Sequence, residues 1–337
     1  VNVRWGIVGT ARIARTAFIP ALQETSGGVV AAVASWSREK GEAFAKEYDI
    51  PTVFDDYDAL LASDEIDAVY NCLPNTFHAE WTIKAAEHGK HVFCEKPLAM
   101  SEAEVRAMVD AGEANDVFLL EAFVFLFHAQ SLKLRELLDD GEIGELRQLE
   151  THFSFRLPRD LPNIRLDKDV GGGALLDVGS YPITFVRFVF GEEPVSVQAS
   201  VYVDPAYEVD TRSSVILTFE GGRMATIQLG MDAPVGPYAT LFGSEGVIEV
   251  PQPFHPRKDA HLLVRRLGER PTMADQVERL PFDDGRAPFT PAIEHFHACI
   301  ADEKPPSVSP LNAIGTLRVI DAIRESSRTG RRVDLPG

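Results

Sequence analysis

Two short stretches of this chain combine residue types suited to moving a proton. Glu95-Lys96-Pro97 sets a lysine directly after the apolar run 91–94. A lysine at a strand end can take a proton from, or return it to, a carbon-bound oxygen. Far along the chain, Asp177 and Tyr181 follow the glycine run Gly171-Gly172-Gly173 and stand four residues apart. On a helix that spacing puts a carboxylate and a phenol on one face. Such a trio suits the binding of hydroxyls and the relay of protons. The plainer alternatives are a surface cation at Lys96, a helix-capping Asp177 and a half-buried Tyr181.

A second kind of chemistry is written at the start of the chain. Gly9-Thr10-Ala11-Arg12-Ile13-Ala14 follows a compact apolar run and opens a helical stretch. A dinucleotide fold needs small residues there for the tight turn, for the approach of a pyrophosphate to backbone N–H groups, and for close helix–strand packing. Here the three places hold Gly9, Ala11 and Ala14, so the second is looser than the usual glycine. A plain strand-to-helix turn would use similar residues, but the place at the head of a βαβ series favours dinucleotide binding.

The next strand end, Ser35-Trp36-Ser37-Arg38-Glu39-Lys40, has no acid where NAD-selective folds place one to bind the ribose. Ser35, Ser37, Arg38 and Lys40 offer hydroxyls and cations that suit a 2′-phosphate. NADP is therefore the expected cofactor, with NAD also possible. Trp36 either stacks on an adenine or covers the sheet end.

These residues need elements to hold them. Apolar, β-branched runs at 3–8, 29–35, 68–72, 91–94 and 117–121 alternate with helical stretches reaching 22 and at 39–48, 79–88 and 102–115. That alternation predicts βαβ crossovers and a parallel sheet. Beyond about residue 146, strands follow one another at 195–203, 213–219, 224–229 and 239–242, with helices at 173–190, 291–302 and 310–329. Successive strands predict an antiparallel sheet with helices on one face. The expected fold class is α/β plus α+β: a Rossmann domain over 1–122, then a substrate-binding and oligomerisation domain over 123–337. The last helices are free to pack back on the first domain.

With these motifs in this order, the chain resembles the glucose–fructose oxidoreductase/inositol dehydrogenase (Gfo/Idh/MocA) family over essentially its whole length. Leu73, Pro74, Asn75 and His78 match that family's cofactor-contacting turn, and Glu95-Lys96-Pro97 its hallmark motif. Gly171-Gly172-Gly173 with Asp177 and Tyr181 matches its second-domain segment. The resemblance implies NAD(P)-dependent hydride transfer, with Lys96 as principal acid/base and a cis bond before Pro97. Asp177 and Tyr181 would face Lys96 across a cleft and orient substrate or relay a proton. Gly9, Thr10, Ala11, Arg12, Ile13 and Glu95 would join the residues above around the cofactor.

The wording Asn163-Ile164-Arg165-Leu166-Asp167 looks like the branch of aldose (xylose-type) and dihydrodiol dehydrogenases. A sugar or cyclic polyol is then the expected substrate, with Phe155 and Arg165 in its pocket. Alternatives are a sugar–sugar oxidoreductase with tightly held NADP, and a non-catalytic NAD(P)-binding sensor. Leu126 and Ala129 stand where relatives often carry arginine and proline, which makes the pocket floor more apolar. His128 either touches substrate or is a core histidine. Phe254, His255 and Arg257 lie on a late loop that reaches either an active site or a neighbouring subunit. Relatives commonly oligomerise through the open face of the second sheet, and the alternation at 195–203 and 213–219 predicts apolar residues there.

Composition bounds the rest. The 337 residues carry 51 acids against 33 bases, a net charge of −18, which disfavours nucleic acid and anionic membrane as partners. No signal segment is visible before the first strand pattern and no apolar run reaches membrane length, so a cytoplasmic location is expected. Cys72, Cys94 and Cys299 lie far apart in apolar settings without metal-ligand spacing, so reduced core thiols and no metal are expected.

Overall fold

The computed structural model describes residues 2–159, 163–257, 259–267, 277–282 and 285–336. The chain divides into two compact units, Val1–Val124 with Arg286–Ile314, and Phe125–Gly285 with Gly315–Gly337.

The first unit is built on six parallel strands: β1 (Val3–Val8), β2 (Gly28–Ala34), β3 (Thr52–Phe54), β4 (Ala68–Asn71), β5 (His91–Cys94) and β6 (Leu119–Glu121). They lie in the order β3-β2-β1-β4-β5-β6. Helices α1 (Ile19–Glu24), α2 (Arg38–Tyr48), α3 (Tyr57–Leu61), α4 (His78–Glu87) and α5 (Glu102–Ala114) provide the crossovers. Val3, Trp5, Ile7 and Val8 are all fully buried, as expected where helices cover both faces of a parallel strand. The strand order reverses between β1 and β4, and ligands of open α/β sheets bind at the carboxyl ends beside such a switch point. The loops that leave the carboxyl ends of β1, β2, β4 and β5 carry the expected cofactor residues. β3 and α3, absent from the sequence reading, are three and five residues long, too short to show a period.

The second unit opens with α6 (Ala129–Asp139) and β7 (Leu146–Ser154), continues with α7 (Ser180–Phe190), and then runs through β8 (Ser196–Asp204), β9 (Val209–Thr218), β10 (Met224–Gly230), β11 (Tyr238–Gly243), β12 (Gly246–Val250), β13 (His261–Arg266) and β14 (Val277–Pro281). Two more helices follow, α8 (Thr290–Asp302), which falls in the first unit, and α9 (Asn312–Thr329), and β15 (Val333–Asp334) ends the series. Among the described residues the second unit's strands form one sheet, β14-β13-β12-β11-β7-β10-β9-β8-β15. It is antiparallel except where β7 pairs with β10 in parallel. α7 packs on β7 and β10.

One expectation is corrected here. The stretch Lys168–Phe190 is long and apolar enough to cross a membrane by composition, yet 89% of its apolar window is buried inside the protein. The open face of the sheet carries polar and apolar residues together. Val197, Val215 and Leu217 are buried, while Gln198, Ser200, Arg212 and Ser214 point outward, with Tyr202, Val203 and Ile216 as exposed apolar residues of these two strands. The pleat sends Val197 and Val215 to the covered side. A cleft of about 260 Å³ opens on this face among His152, Ser200, Tyr202, Arg212 and Gln228, none of which was an expected site residue.

Candidate active site

In the first unit, Gly9 turns the chain after β1 with φ at +94°, a conformation that glycine alone adopts freely. A Cβ there would also meet Leu73 Cδ2 at 3.0 Å. The helix over 12–24 begins at once and contains a π-helical turn, Ala14–Phe18, a feature frequent at functional sites. Ala14 is fully buried, Thr10, Ala11 and Ile13 are half-buried, and Arg12 is exposed. The start of a helix presents backbone N–H groups to anions.

After β2, the Ser35 hydroxyl accepts from Ser37 N at 3.3 Å, and Ser37 Oγ accepts from Lys40 N at 3.4 Å, capping α2. Trp36 is 63% exposed and packs against Tyr57 and Phe77. Arg38 bonds Glu42 at 2.7 Å and Asp55 at 2.7 and 2.9 Å, all at the surface. A glycine-only turn, a helix start and a hydroxyl–guanidinium group at the next strand end fit a dinucleotide.

The loop carrying Lys96 is tied on every side. Glu95 N donates to Asn71 O at 2.9 Å, and the buried Tyr70 hydroxyl donates to Glu95 Oε1 at 2.6 Å. Tyr70 stacks on Phe18 with ring centroids 3.9 Å apart, so the core fixes the phenol that fixes Glu95. Lys96 N donates to Glu95 Oε2 at 3.3 Å, and the Lys96–Pro97 bond is cis. Beyond it, Leu98 N donates to the buried Glu121 Oε1 at 2.8 Å. Lys96 itself is half-buried.

His78 sits deeper than the rest of its turn. Its ring is wholly buried, with Nδ1 2.8 Å from Pro97 O and Nε2 2.8 Å from Leu73 O. Both nitrogens face backbone carbonyls, of which a neutral ring donates to one, so the imidazole packs between the loops after β4 and β5. Burial pushes its pKa down, and the charge of Lys96 adds to that. Pro74 and Asn75 open the short turn beside it and stay half-buried. Cys72 and Cys94 are buried thiols; burial pushes Cys72 up to about 12 and Cys94 up as well, which leaves both protonated and inert.

In the second unit the glycine run is a packing necessity. A Cβ on Gly172 would strike the carbonyl oxygens of Asp167, Arg165 and Ile164 at 2.6, 2.8 and 2.9 Å. Gly173 has φ at +116° and lies against Asp210 Oδ1. Asp210 Oδ2 then accepts from Leu175 N at 2.6 Å, holding the start of the helical segment, and burial pushes its carboxyl above the usual range. The segment runs as a π-helical turn, Leu175–Gly179, and continues as α7. Asp177 lies in the widened turn, and Tyr181 in the first turn of α7.

Arg165 Nε donates to Asp177 Oδ2 at 2.6 Å, and its guanidinium lies 5.9 Å from the Phe155 ring centre. Three expected substrate residues therefore form one cluster. Tyr181 is 7% exposed, and its ring packs among Phe125, Phe153 and Phe254. Its hydroxyl lies 3.1 Å from Nε2 of His255, on the late loop expected to reach either an active site or a neighbouring subunit. Nothing local in the sequence links the two, which are 74 residues apart. His128 is buried and caps α6, its Nδ1 accepting from Gln130 N at 3.1 Å, which is the core reading. The backbone at Arg156 pairs with that at Asp232 in an isolated antiparallel β-bridge.

Family comparison agrees with this anatomy. Residues 3–123 match the "Oxidoreductase family, NAD-binding Rossmann fold" model, and residues 131–249 match the "GFO/IDH/MocA C-terminal domain" model. A D-xylose 1-dehydrogenase (NADP(+)) from Haloferax volcanii is 36% identical over 98% of this chain and 99% of its own. A trans-1,2-dihydrobenzene-1,2-diol dehydrogenase from Xenopus laevis is 34% identical over 74% of this chain and 75% of its own. The crystal structure of an aldose-aldose oxidoreductase from Caulobacter crescentus, complexed with glycerol, superposes with a TM-score of 0.90 at 26% identity, covering 99% of this chain and all of that one. The chain belongs to the Gfo/Idh/MocA family and is an NAD(P)-dependent oxidoreductase.

Proposed function

We propose that the protein oxidises a hydroxyl of a sugar or related cyclic polyol, or reduces the corresponding carbonyl, with NADP preferred and NAD accepted. The observation that carries the reading is the second unit's cluster. Asp177 joined to Arg165 beside Phe155, and Tyr181 joined to His255 beside Phe153, set charged and hydroxyl groups next to aromatic rings. Hydroxyl groups on an otherwise apolar ring are held by this combination. The similar proteins named for D-xylose, dihydrodiol and aldose chemistry support the same class.

The nicotinamide, when bound, supplies the hydride acceptor or donor. Lys96 takes the hydroxyl proton in the oxidative direction and returns it in the reductive one. Asp177 and Tyr181 orient the substrate hydroxyls or relay the proton, and Arg165 and Phe155 line the sugar. Gly9 to Ile13, Leu73 to Asn75 and Glu95 hold the cofactor, with His78 bracing their loops. Ser35, Ser37, Arg38 and Lys40 receive the 2′-phosphate, and Trp36 offers an aromatic face to the adenine.

The likeness to the aldose-aldose oxidoreductase favours a second reading, in which NADP stays bound while two sugars exchange hydride. Gel filtration that retains nicotinamide absorbance with the protein distinguishes it. The open sheet face, with Tyr202, Ile216, Met224 and Tyr238 exposed, is the proposed contact between copies of the chain, and sedimentation as a monomer would refute that.

A panel of aldoses, inositols and dihydrodiols, tested with NADP and NAD by absorbance of the reduced nicotinamide, examines the main reading. Turnover of at least one sugar or cyclic polyol, with the lower KM for NADP, is expected. No turnover across the panel by protein that still binds NADP would overturn the substrate class.

A further inference from the structure

The loop between β12 and β13 holds one exposed residue between two buried ones. Phe254 is fully buried, in ring contact with Phe125, Phe153 and Phe185, and Pro256 is buried on the other side. His255 between them is exposed. The loop is fastened again at its base, where Gln130 Nε2 donates to Gln252 O at 2.9 Å and Arg257 N donates to Gln252 Oε1 at 3.0 Å. The core therefore dictates where the imidazole stands.

It stands against Tyr181. The two rings lie 4.8 Å apart between centroids, and Nε2 is 3.1 Å from Oη. The Phe153 ring meets His255 edge-on at 5.6 Å and Tyr181 edge-on at 5.6 Å, which limits the freedom of both. Tyr181 is buried, so its hydroxyl needs a hydrogen-bond partner, and the partner's identity governs what the hydroxyl can still do. An imidazole nitrogen either accepts the phenol's hydrogen or donates to the phenol's oxygen. In the first case Oη faces a substrate as an acceptor; in the second it keeps its hydrogen to donate. A carbonyl partner would allow only the first.

We propose that His255 is the positioning residue of Tyr181: its imidazole fixes the direction of the phenol's hydrogen bond and so the way Oη meets a substrate hydroxyl or carbonyl. This rests on the reading of Tyr181 as a substrate-orienting residue. His255 touches the reaction through Tyr181 and is not itself a catalytic residue.

The test is a double-mutant cycle with the full-length protein, using NADP and the best substrate from the panel above. His255→Phe removes the ring nitrogens, Tyr181→Phe removes the hydroxyl, and His255→Gln restores a polar partner. Thermal unfolding and NADP binding are followed in parallel to confirm folding. His255→Phe is expected to lower kcat roughly tenfold with KM nearly unchanged, as loss of one hydrogen bond that acts in the transition state would. His255→Gln recovers part of that loss, and His255→Phe adds nothing in a Tyr181→Phe background. Additive losses, a wild-type kcat in His255→Phe, or a change confined to Tm would overturn the proposal. A wild-type kcat in Tyr181→Phe would instead overturn the reading of Tyr181, and the inference with it. Absence of any turnover in the panel does the same.

Discussion

Arg165 grips Asp177 through a 2.6 Å bond from Nε to Oδ2, across a loop whose carbonyls exclude any side chain at Gly172. The guanidinium is 40% exposed and the carboxylate 16% exposed. The pair links the loop before the glycine run to the helical segment after it. Asp177 is thereby held by a neighbour that also lies against Phe155.

Arg165→Leu removes that grip while keeping an apolar stem. Charge-assisted hydrogen bonds contribute about 1.5–3 kcal/mol, so KM for the sugar should rise about tenfold or more. Arg165→Lys should recover little, because an ammonium cannot reproduce the guanidinium's fixed geometry. Steady-state kinetics on the three proteins settles it; an unchanged KM in Arg165→Leu would remove Arg165 from the substrate site.

Arg38 is the residue proposed to set the cofactor choice. Its bonds to Glu42 and Asp55 are exposed, and pairs of that kind contribute at most about 1 kcal/mol, so a phosphate can displace them. Arg38→Ala should raise KM for NADP about tenfold while leaving KM for NAD nearly unchanged. Equal effects on the two cofactors would refute a 2′-phosphate role.

A pH effect on stability follows from His297. Trp5 Nε1 donates to its Nε2 at 3.0 Å, and burial pushes its pKa down from 6.5 to about 4. The unfolded chain binds the proton more readily, so the contribution is complete above pH 6.5 and is lost as pH falls toward 4. The span corresponds to about 3 kcal/mol at most. His297→Gln should be less stable at neutral pH and lose less stability over that window, measured as Tm from pH 7 to 4.5. An identical slope in both proteins would contradict the assignment.

The first unit was readable because each long strand is one apolar run followed by small or polar turn residues. β1, buried on both faces, needs no alternation to be recognised. In β7, Leu149, Thr151 and Phe153 alternate with Glu150 and His152, a half-buried pattern that marks a strand without saying which strand it joins. Its parallel pairing with β10 depends on tertiary order alone.

The site divided in the same way. Glu95-Lys96-Pro97 and the glycine run with Asp177 and Tyr181 were visible as residue types at fixed spacing. The burial of His78 between two carbonyls was not, because a histidine in a turn looks the same whether it faces a ligand or the backbone. The pairing of His255 with Tyr181 was not legible either, since the two stand 74 residues apart.

The central claim is that Lys96 moves the proton. Lys96→Met keeps the length of the side chain and removes its amine, while Tyr70, Glu121 and His78 still hold the loop. NADP binding, followed by fluorescence, should stay close to that of the unaltered protein, and turnover of the best panel substrate should fall by about a hundredfold or more. Turnover near the unaltered rate would contradict the account.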